Sequence, residues 1–495
     1  MAQRAALRRA VATTTARTTR LQAVYADTAD RRLAAAGLAL RLRKEGRVWV
    51  QTLKGRGDGL MQRLEHEVRL PPGAGAATLD ATRHAGMPVG QRLQALLADG
   101  AALVPVYRTD IRRLHRQVRH GGALIELAYD RGLIVAGDRQ LEVDEIEFEL
   151  VRGPGAALVQ LAARWAGRFG LWWDVRTKSE RGHRLALGLD QVPATRAAAV
   201  ALPAAASPAQ ALAAWVAGAL QQALANAAEI ASGTAQPEHL HQLRTALRRL
   251  RSVLRVYAPF AAEPPAALAL EQDWRETFGQ LGLARDQDVI AQSLLPVLQQ
   301  AGAAAGVPVL PPLPPVPGPT PQDVVCGGAF TGLMLRTLAL GTAAPTPAAD
   351  AATLAQAVPA QLRPLWLQVR RGAAAFSHAD ADERHRLRKR LKRLRDALLA
   401  AQPLLRRKPS AELKLRLGKA LQRLGELNDL QVAEQRFREA AANGPTAWFA
   451  VGYLAARRQL TLKPAVRALA RLREARIGWR QPRDRREPGA PGGPG

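Results

Sequence analysis

The sequence predicts an α+β protein, with an antiparallel β domain first and an all-α domain after it. Between residues 24 and 151, apolar and charged residues alternate in short runs, as they do in strands that are buried on one side only. Beyond residue 208, leucines recur at helical spacing instead. A basic helical segment also occurs twice in this second part, which predicts two helical repeats.

Composition narrows the classes of partner and compartment. With 71 Lys and Arg against 42 Asp and Glu, the net charge is +29, which predicts an acidic partner such as nucleic acid, an anionic membrane surface or a phosphate polymer. Cys326 is the only cysteine, which excludes an intramolecular disulfide or a cysteine-rich metal site. We expect no membrane span, because no apolar run reaches about 18 residues. Since no apolar signal segment starts the sequence, we expect a cytoplasmic protein.

The β domain begins with three alternating runs. Arg41 and Arg43 alternate with leucines, so both guanidinium groups lie on one face of a strand. The next run ends at Lys54, and in the third run Arg63 and Glu65 alternate with apolar residues. Each run therefore predicts a strand with one charged face.

The later part of the β domain continues this pattern. Residues 123–128 are strand-like and are followed by Asp130-Arg131-Gly132, which predicts a hairpin-type break. Glu145 and Glu147 lie on one face of a further strand, and residues 157–169 predict a helix that packs on the sheet. Periodicity alone favours an ordinary amphipathic sheet, although a closed barrel with a charged interior would show the same alternation.

The order of these motifs resembles the CYTH domain of the triphosphate tunnel metalloenzymes, and among them most the inorganic triphosphatases, which carry a helical domain after the tunnel. The matching motifs are Tyr25-x-Asp27-Thr28-x-Asp30, Leu40-Arg41-x-Arg43, Gln51-Thr52-Leu53-Lys54, Arg63-x-Glu65, Ile125-Glu126-Leu127-Ala128-x-Asp130, Glu145-Ile146-Glu147 and Lys178-Ser179-x-Arg181-Gly182. The resemblance covers about residues 5–190. It implies an eight-stranded antiparallel β-barrel whose tunnel is lined by Arg, Lys and Glu.

The resemblance also implies a reaction, the hydrolysis of inorganic triphosphate with Mg²⁺ or Mn²⁺. The residues that it assigns to triphosphate are Arg41, Arg43, Lys54, Arg63, Arg113 and Lys178, and those that it assigns to metal or water are Glu65, Glu126, Glu145 and Glu147. Arg108 and Arg112 compete with Arg113, because the register of that strand is open. These residue types suit the chemistry, since arginine binds phosphate in a bidentate manner and carboxylate oxygens are preferred ligands of such ions.

The start of the sequence departs from the family pattern. The family begins with a Glu-x-Glu-x-Lys strand, whereas residues 1–10 resemble the helix that follows that strand. We therefore expect a tunnel whose first strand is missing, either because the start codon was assigned too far downstream or because the tunnel is truncated. Truncation would leave fewer metal ligands and a non-catalytic protein that binds and localises to polyphosphate.

Composition also suggests the domain boundaries. We expect a tunnel domain at 1–190, an Ala- and Pro-rich linker at 191–208, a helical domain at 209–480 and a disordered Pro-, Gly- and Arg-rich tail at 481–495. Within the helical domain we expect two repeats, at about 209–305 and 350–480, joined by the Pro-rich segment 306–321. Eight prolines between residues 308 and 321 exclude a continuous helix or a central strand there.

The helical domain contains a duplicated basic helix. Eight of the twelve residues from 384 to 395 are Arg or Lys, and the leucines among them form one apolar stripe. The same pattern occurs 144 residues earlier, at 241–251. Residues 281–289 likewise resemble residues 424–432, at an offset of 143. Two motifs in the same order at nearly one offset indicate an internal duplication.

This doubled pattern resembles the CHAD domain, an α-helical bundle of two repeats that binds inorganic polyphosphate in a basic groove. The residues that the resemblance assigns to polyphosphate are His241, Arg244, Arg248, Arg249, Arg251, Arg255, His385, Arg388, Lys389, Lys392, Arg393 and Arg395. Cations one helical turn apart, about 5.4 Å, form a row that matches a linear polyanion. We expect Asp286 and Asp429 to orient or cap the basic helices, and we expect association with polyphosphate granules.

Three functions follow from these patterns. The first is a metal-dependent triphosphatase joined to a polyphosphate-binding bundle, and the second is a protein that only binds polyphosphate. The third is a nucleic-acid binder, which the net charge of +29 suggests. It ranks last, because the basic segments lack interleaved aromatic residues for base stacking and any groove-reading motif. The sequence leaves the oligomeric state open.

Overall fold

A computed structural model of the chain describes residues 2–57, 63–71, 78–203, 205–307, 309–315, 317–342, 353–442 and 444–479. The chain divides into two compact units. The sheet unit comprises Met1–Thr195, Leu224–Gln236 and Val325–Ala339, and the helical unit comprises Arg196–Ala223, Pro237–Val324 and Leu340–Gly495. The domain boundaries expected from composition stay a prediction, and the expected disordered tail at 481–495 lies outside the described residues.

Antiparallel strands dominate the sheet unit. They are β1 (Arg17–Thr28), β2 (Leu38–Glu45), β3 (Val48–Arg56), β4 (Arg63–Arg69), β5 (Leu103–His120), β6 (Ala123–Ala136) and β7 (Arg139–Arg152). These seven strands form one sheet in the order β4-β3-β2-β1-β5-β6-β7. The predicted α+β architecture is confirmed, and the described sheet has one strand fewer than the eight-stranded barrel of the family.

One turn prediction is wrong. The expected hairpin-type break at Asp130-Arg131-Gly132 does not occur, because β6 continues through all three residues and pairs with β5 and β7 on both sides. Gly132 is present for a different reason: a Cβ atom there would lie 2.0 Å from the carbonyl oxygen of Asp110 on β5. The glycine allows a close approach of two strands rather than a change of direction.

The sheet has one apolar and one charged face. The helices of this unit before residue 195 are α1 (Ala2–Val11), α2 (Arg32–Ala35), α3 (Pro88–Leu96), α4 (Gly155–Phe169) and α5 (Lys178–Leu187). Leu158 and Leu161 of α4 pack against Ile125 and Leu127 of β6, which buries the apolar face. The helix predicted at 157–169 is thereby confirmed.

Charged side chains of several strands influence one another on the charged face. Burial and the neighbouring Glu126 raise the pKa of Glu149 on β7, while Lys54 on β3 lowers it and Glu65 on β4 raises it.

Beyond residue 195 the described chain is mainly helical. Its helices are α6 (Pro208–Ala231), α7 (Pro237–Val256), α8 (Pro264–Val289), α9 (Leu295–Ala304), α10 (Pro321–Cys326), α11 (Gly328–Thr342), α12 (Leu354–Ala375), α13 (Ala381–Ala400), α14 (Arg407–Ala440) and α15 (Ala447–Arg473). The described residues of the Pro-rich segment before Pro321 form neither helix nor strand. No described helix combines the length and apolar character that crossing a membrane requires.

The two predicted basic helices, α7 and α13, pack against each other through equivalent positions of the repeats. Their leucine stripes are buried, as predicted. Ser252 on α7 donates a hydrogen bond of 3.2 Å to Asp396 on α13, and these two positions are 144 residues apart, the offset of the duplication. The Tyr257 hydroxyl also donates to the carbonyl oxygen of Ala397, at 2.9 Å. The duplication therefore brings both basic segments to one place in the helical unit.

Candidate functional site

The charged face of the sheet brings together most of the residues predicted to bind triphosphate and metal. Directly paired residues in an antiparallel sheet point to the same face. The pairing aligns Arg41 with Tyr25, Arg43 with Ala23, Lys54 with Glu65, Arg113 with Asp130, Glu126 with Glu149, Ala128 with Glu147, and Asp130 with Glu145. The side chain of Arg63 lies outside the described residues, and only the pairing of its backbone with Arg56 is seen.

The register also separates Arg113 from its two competitors. Arg112 pairs with Arg131 on β6, and Arg108 pairs with Val135. Side chains alternate between faces along a strand, so Arg108 and Arg112 point to the side of the sheet opposite to Arg113. Of these three arginines, Arg113 is therefore the one whose side chain faces the candidate site.

Three carboxylates form the centre of this face. Oxygen atoms of Asp130, Glu145 and Glu147 all lie within 4.8 Å of one another. Asp130 is completely buried on β6. It was absent from the predicted metal ligands, although it follows Glu126 by four residues and so lies on the same strand face. That spacing was the signal that could have identified it.

Lys178, at the start of α5, bridges all three carboxylates. Its Nζ atom lies 2.7 Å from Oδ2 of Asp130 and 2.9 Å from Oε1 of Glu147, and it also donates to Glu145. Burial lowers the pKa of the Lys178 ammonium, but the charges of the surrounding carboxylates outweigh burial and raise that pKa. The lysine therefore stays charged at neutral pH.

Two arginines complete this cluster. Arg113 donates two hydrogen bonds, of 2.8 and 2.7 Å, to the carboxylate of Asp130, and its Nη2 atom lies 2.5 Å from Oε2 of Glu147. Arg181 on α5 donates to Glu145 and was not among the predicted site residues. Burial raises the pKa of Glu147, but Lys178 and Arg113 reverse this effect and hold that pKa well below its usual range.

A second group of cations lies on β2 and β3. Arg41 donates to the Tyr25 hydroxyl at 3.2 Å, and Lys54 lies 2.8 Å from Glu65. The Nε atoms of Arg41 and Arg43 are buried and have no hydrogen-bond partner among the described residues. Burial, followed by the charge of Arg41, lowers the pKa of Lys54. Unsatisfied donors beside mutually repelling cations indicate a place where an anion would be stabilised.

The other predicted metal ligands lie apart from the three-carboxylate cluster. Glu65 pairs with Lys54, as above. Glu126 is directly opposite Glu149 on β7. Nδ1 of His115 lies 3.7 Å from Oε1 of Glu126. The assignment of Glu65 and Glu126 to metal therefore stays a prediction, while Glu145 and Glu147 share a potential ligand set with Asp130.

In the helical unit, one group of predicted cations surrounds two aspartates. Nε of Arg248 lies 3.0 Å from Oδ2 of Asp396, and Nη2 of Arg395 lies 3.4 Å from Oδ1 of the same buried residue. Arg388 lies 3.7 Å from Asp429. Burial, followed by the charges of Arg388 and Arg248, lowers the pKa of Lys392 to about 7.

A second group of predicted polyphosphate-binding cations surrounds one buried carboxylate, that of Glu271. Glu271 accepts from Arg251 at 2.7 Å and from Arg255 at 3.2 Å. Burial lowers the pKa of Lys389, and the charge of Arg251 lowers it further. Burial also lowers the pKa of Arg393, and the charge of Arg255 adds to that effect. Positions 389 and 393 are rotated by about 100° from positions 388 and 392 on a helix. The predicted polyphosphate residues therefore divide between two neighbouring arcs of the helix pair.

The remaining predicted residues of the basic helices have local partners. Arg244 donates to the carbonyl oxygen of Phe278 at 3.0 Å and lies over its ring. Arg249 donates to Gln222 at 2.9 Å. His241 is half-buried on α7, and burial followed by nearby cations lowers the pKa of His385.

Comparison with known proteins agrees with both halves of this description. A family model for the CYTH domain matches residues 2–168, and one for the CHAD domain matches residues 214–438. The chain combines a CYTH domain with a CHAD domain. An inorganic triphosphatase from Haemophilus influenzae is 29% identical to the chain over 168 residues, which are 32% of this chain and 44% of that relative. The chain thus spans less than half of the length of that relative.

A solved structure of a CHAD domain is also similar to part of the chain. The CHAD domain from the plant Ricinus communis is 28% identical, with a TM-score of 0.46, and the match covers 58% of this chain and 99% of that domain.

The donor set in the CYTH domain suits a hard divalent cation. Asp130, Glu145 and Glu147 offer carboxylate oxygens only, and Mg²⁺ and Mn²⁺ prefer such ligands over nitrogen or sulfur. Arg41, Arg43 and Lys54 offer donors to phosphate on the same face of the sheet. The face can therefore hold a metal ion and a phosphate chain together.

Proposed function

We propose that the CYTH domain hydrolyses inorganic triphosphate with Mg²⁺ or Mn²⁺ and that the CHAD domain binds inorganic polyphosphate. The proposal rests on one observation: the Asp130, Glu145 and Glu147 cluster shares the charged face of the sheet with donors to phosphate. The cations on this face are Arg41, Arg43, Lys54, Arg113 and Lys178. The similarity to an inorganic triphosphatase supports the same substrate class. We place the protein in the cytoplasm, at polyphosphate granules.

The residues divide the reaction between them. Arg41, Arg43 and Lys54 bind the non-reacting phosphates and hold the triphosphate in line for attack by water. Arg113 and Lys178 stabilise the charge that develops on the phosphate oxygens. Asp130, Glu145 and Glu147 would hold the divalent ion, which when bound neutralises charge on the same oxygens.

A second candidate is a protein that binds polyphosphate without catalysis. All three carboxylates are already paired with Lys178, and two of them also with Arg113. A metal ion must compete with these cations for the same oxygens. If the ion pairs prevail, the cluster is purely structural and the CHAD domain alone carries the function.

The experiment that separates the two candidates measures phosphate release from triphosphate by the purified full-length chain. Activity that requires Mg²⁺ or Mn²⁺ and is lost in Glu147→Gln supports the triphosphatase. The matched control is Glu142→Gln, an exposed glutamate on the same strand, which should keep full activity. No phosphate release with either ion contradicts the triphosphatase and leaves the binding protein.

The CHAD assignment has its own test. Charge reversal of Arg388, Lys392 and Arg395 should abolish retention of the chain on immobilised polyphosphate, because like charges would then repel the polymer. Unchanged affinity would refute this group as the binding site. Competition with duplex DNA at equal phosphate concentration addresses the nucleic-acid alternative, which gains if DNA displaces polyphosphate.

A further inference from the structure

Helix α5 presents two charged faces to two different neighbours. At about 100° per residue, Lys178 and Arg181 lie on one side of the helix, and Glu180 and Arg184 lie on a second side, centred roughly 110° around the axis from the first. The first side contacts the carboxylates of the sheet, as described above. What holds the second side therefore determines how the first side is placed.

The second side of α5 is held by one buried carboxylate. Oε1 of Glu229, on the part of α6 that belongs to the sheet unit, lies 2.6 Å from Nη1 of Arg184. Its other oxygen accepts from the Thr234 hydroxyl at 2.9 Å and lies 3.9 Å from Nη1 of Arg176. The Glu229 side chain is only 5% exposed. Burial raises its pKa, but Arg184 and Thr234 outweigh burial and lower it, so the carboxylate is ionised.

The contacts of Glu229 lie at both ends of α5. Arg176 comes just before the helix, where it pairs with Asp174 at 2.9 Å and donates to Ser232 at 2.9 Å. Thr177 then caps the helix by accepting from the backbone N–H of Glu180. Arg184 lies in the last turn. One carboxylate therefore restrains the two ends of a helix that carries Lys178 in its first turn.

The side of α5 that faces the sheet packs so closely on it that the helix cannot shift. A Cβ atom at Gly182 would lie 2.2 Å from the Tyr107 ring on β5, so the helix backbone lies directly on the sheet. A helix packed this closely cannot tilt without moving Lys178 relative to Asp130. Such a displacement matters, because an error of about 1 Å in a binding group can cost about 100-fold in rate.

We infer that Glu229 is a positioning residue for the triphosphate site. It acts from behind α5, through Arg184 and Arg176, and sets the place of Lys178 and Arg181 over the three carboxylates. Among the described side chains, it contacts none of the candidate metal ligands and none of the candidate phosphate-binding residues. Residue 229 falls within the stretch that matches the CHAD family, yet the structure groups it with the sheet. The inference rests on the proposed triphosphatase function.

The test uses Glu229→Gln, which removes the charge and keeps the shape. We expect kcat/KM for triphosphate to fall about tenfold, because the anchored end of α5 loosens. Glu180→Gln is the matched control: Glu180 also pairs with Arg184, at 3.0 Å, but its side chain is 47% exposed. The control should change kcat/KM less than twofold. Arg184→Gln, which breaks the same ion pair from the other side, should reproduce the loss.

A double-mutant cycle separates positioning from general destabilisation. The affinity for triphosphate is measured by calorimetry in the wild type, Glu229→Gln, Lys178→Ala and the double variant. If Glu229 acts through Lys178, its substitution weakens binding in the wild-type background and changes nothing further in the Lys178→Ala background. Equal losses in both backgrounds, or no loss in either, overturn the inference. A wild-type chain that neither binds nor hydrolyses triphosphate overturns the proposed function itself, and the inference with it.

Discussion

The Nζ atom of Lys178 lies 2.7 Å from Oδ2 of Asp130, a carboxylate that the sheet buries completely. Arg113 contacts the same carboxylate with two hydrogen bonds. Asp130 is thus the fixed point to which two of the proposed phosphate-binding cations are attached. The predictions below begin with this residue.

Asp130→Asn should destabilise the folded CYTH domain by about 3 kcal/mol, because it removes the completely buried carboxylate among those that balance Arg113 and Lys178. The measurement is the free energy of unfolding in urea. Asp138→Asn, in the exposed turn between β6 and β7, is the control and should stay within about 0.5 kcal/mol of the wild type. Equal stability of the two variants would show that the ion pairs of Asp130 contribute nothing net.

Arg113→Ala should lower kcat/KM for triphosphate by about 100-fold, the effect of removing one preorganised donor to developing charge. Arg112→Ala should change it less than twofold, since the adjacent side chain points to the other face of the sheet. Steady-state phosphate release measures both variants. A larger loss in Arg112→Ala would mean that the register of β5 in solution differs from the one described.

His84 links the stability of the CYTH domain to pH. The amide oxygen of Gln51 accepts from the Asp80 backbone N–H and from Arg83, so its nitrogen must be the donor to Nε2 of His84, at 3.0 Å. His84 is then neutral, with its proton on Nδ1, which lies 2.9 Å from Nδ1 of His66. Burial, followed by the nearby charge of His66, lowers the pKa of His84 to about 4.

The sign of the effect follows from the folded pKa lying below the unfolded value of about 6.5. The neutral imidazole contributes its full stability above pH 6.5, and that contribution, up to about 3 kcal/mol, is lost as pH falls through about 4. Urea unfolding at pH 7 and pH 4.5 measures it. His84→Gln should lose less stability between these pH values than the wild type. Equal losses would contradict a buried neutral His84.

Lys392 should take up a proton when polyphosphate binds. Because burial and neighbouring cations lower its pKa to about 7, this lysine is largely neutral at pH 8 in the free protein. A bound polyanion favours the ammonium form and raises the pKa, so affinity should fall as pH rises above 7. Calorimetry at pH 8, in two buffers with different ionisation enthalpies, counts the protons.

Lys392→Gln should remove this proton uptake. Lys408→Gln, an exposed lysine at the start of α14, should leave it unchanged. A binding enthalpy that does not depend on the buffer in the wild type would show that Lys392 is either charged beforehand or remote from the polymer.

Local sequence patterns were sufficient to predict which side chains share a face of a strand or a helix in much of this protein. Strand alternation has a period of two, so Arg41 and Arg43, or Glu145 and Glu147, had to share a face wherever their strands were placed. The leucine stripes of the two basic helices were equally predictable from a period of 3.6. Both periods are properties of the backbone geometry, and they act within one element.

Relationships between elements were decided only by the tertiary structure. The choice of Arg113 over Arg112 depends on the register of β5 against β6, and the role of Asp130 depends on a strand that continues where a turn was expected. Glu229 meets Arg184 because α6 returns to the sheet unit, which no motif near either residue indicates. Sequence determined which chemical groups each element presents, while packing between distant segments decided which of those groups meet.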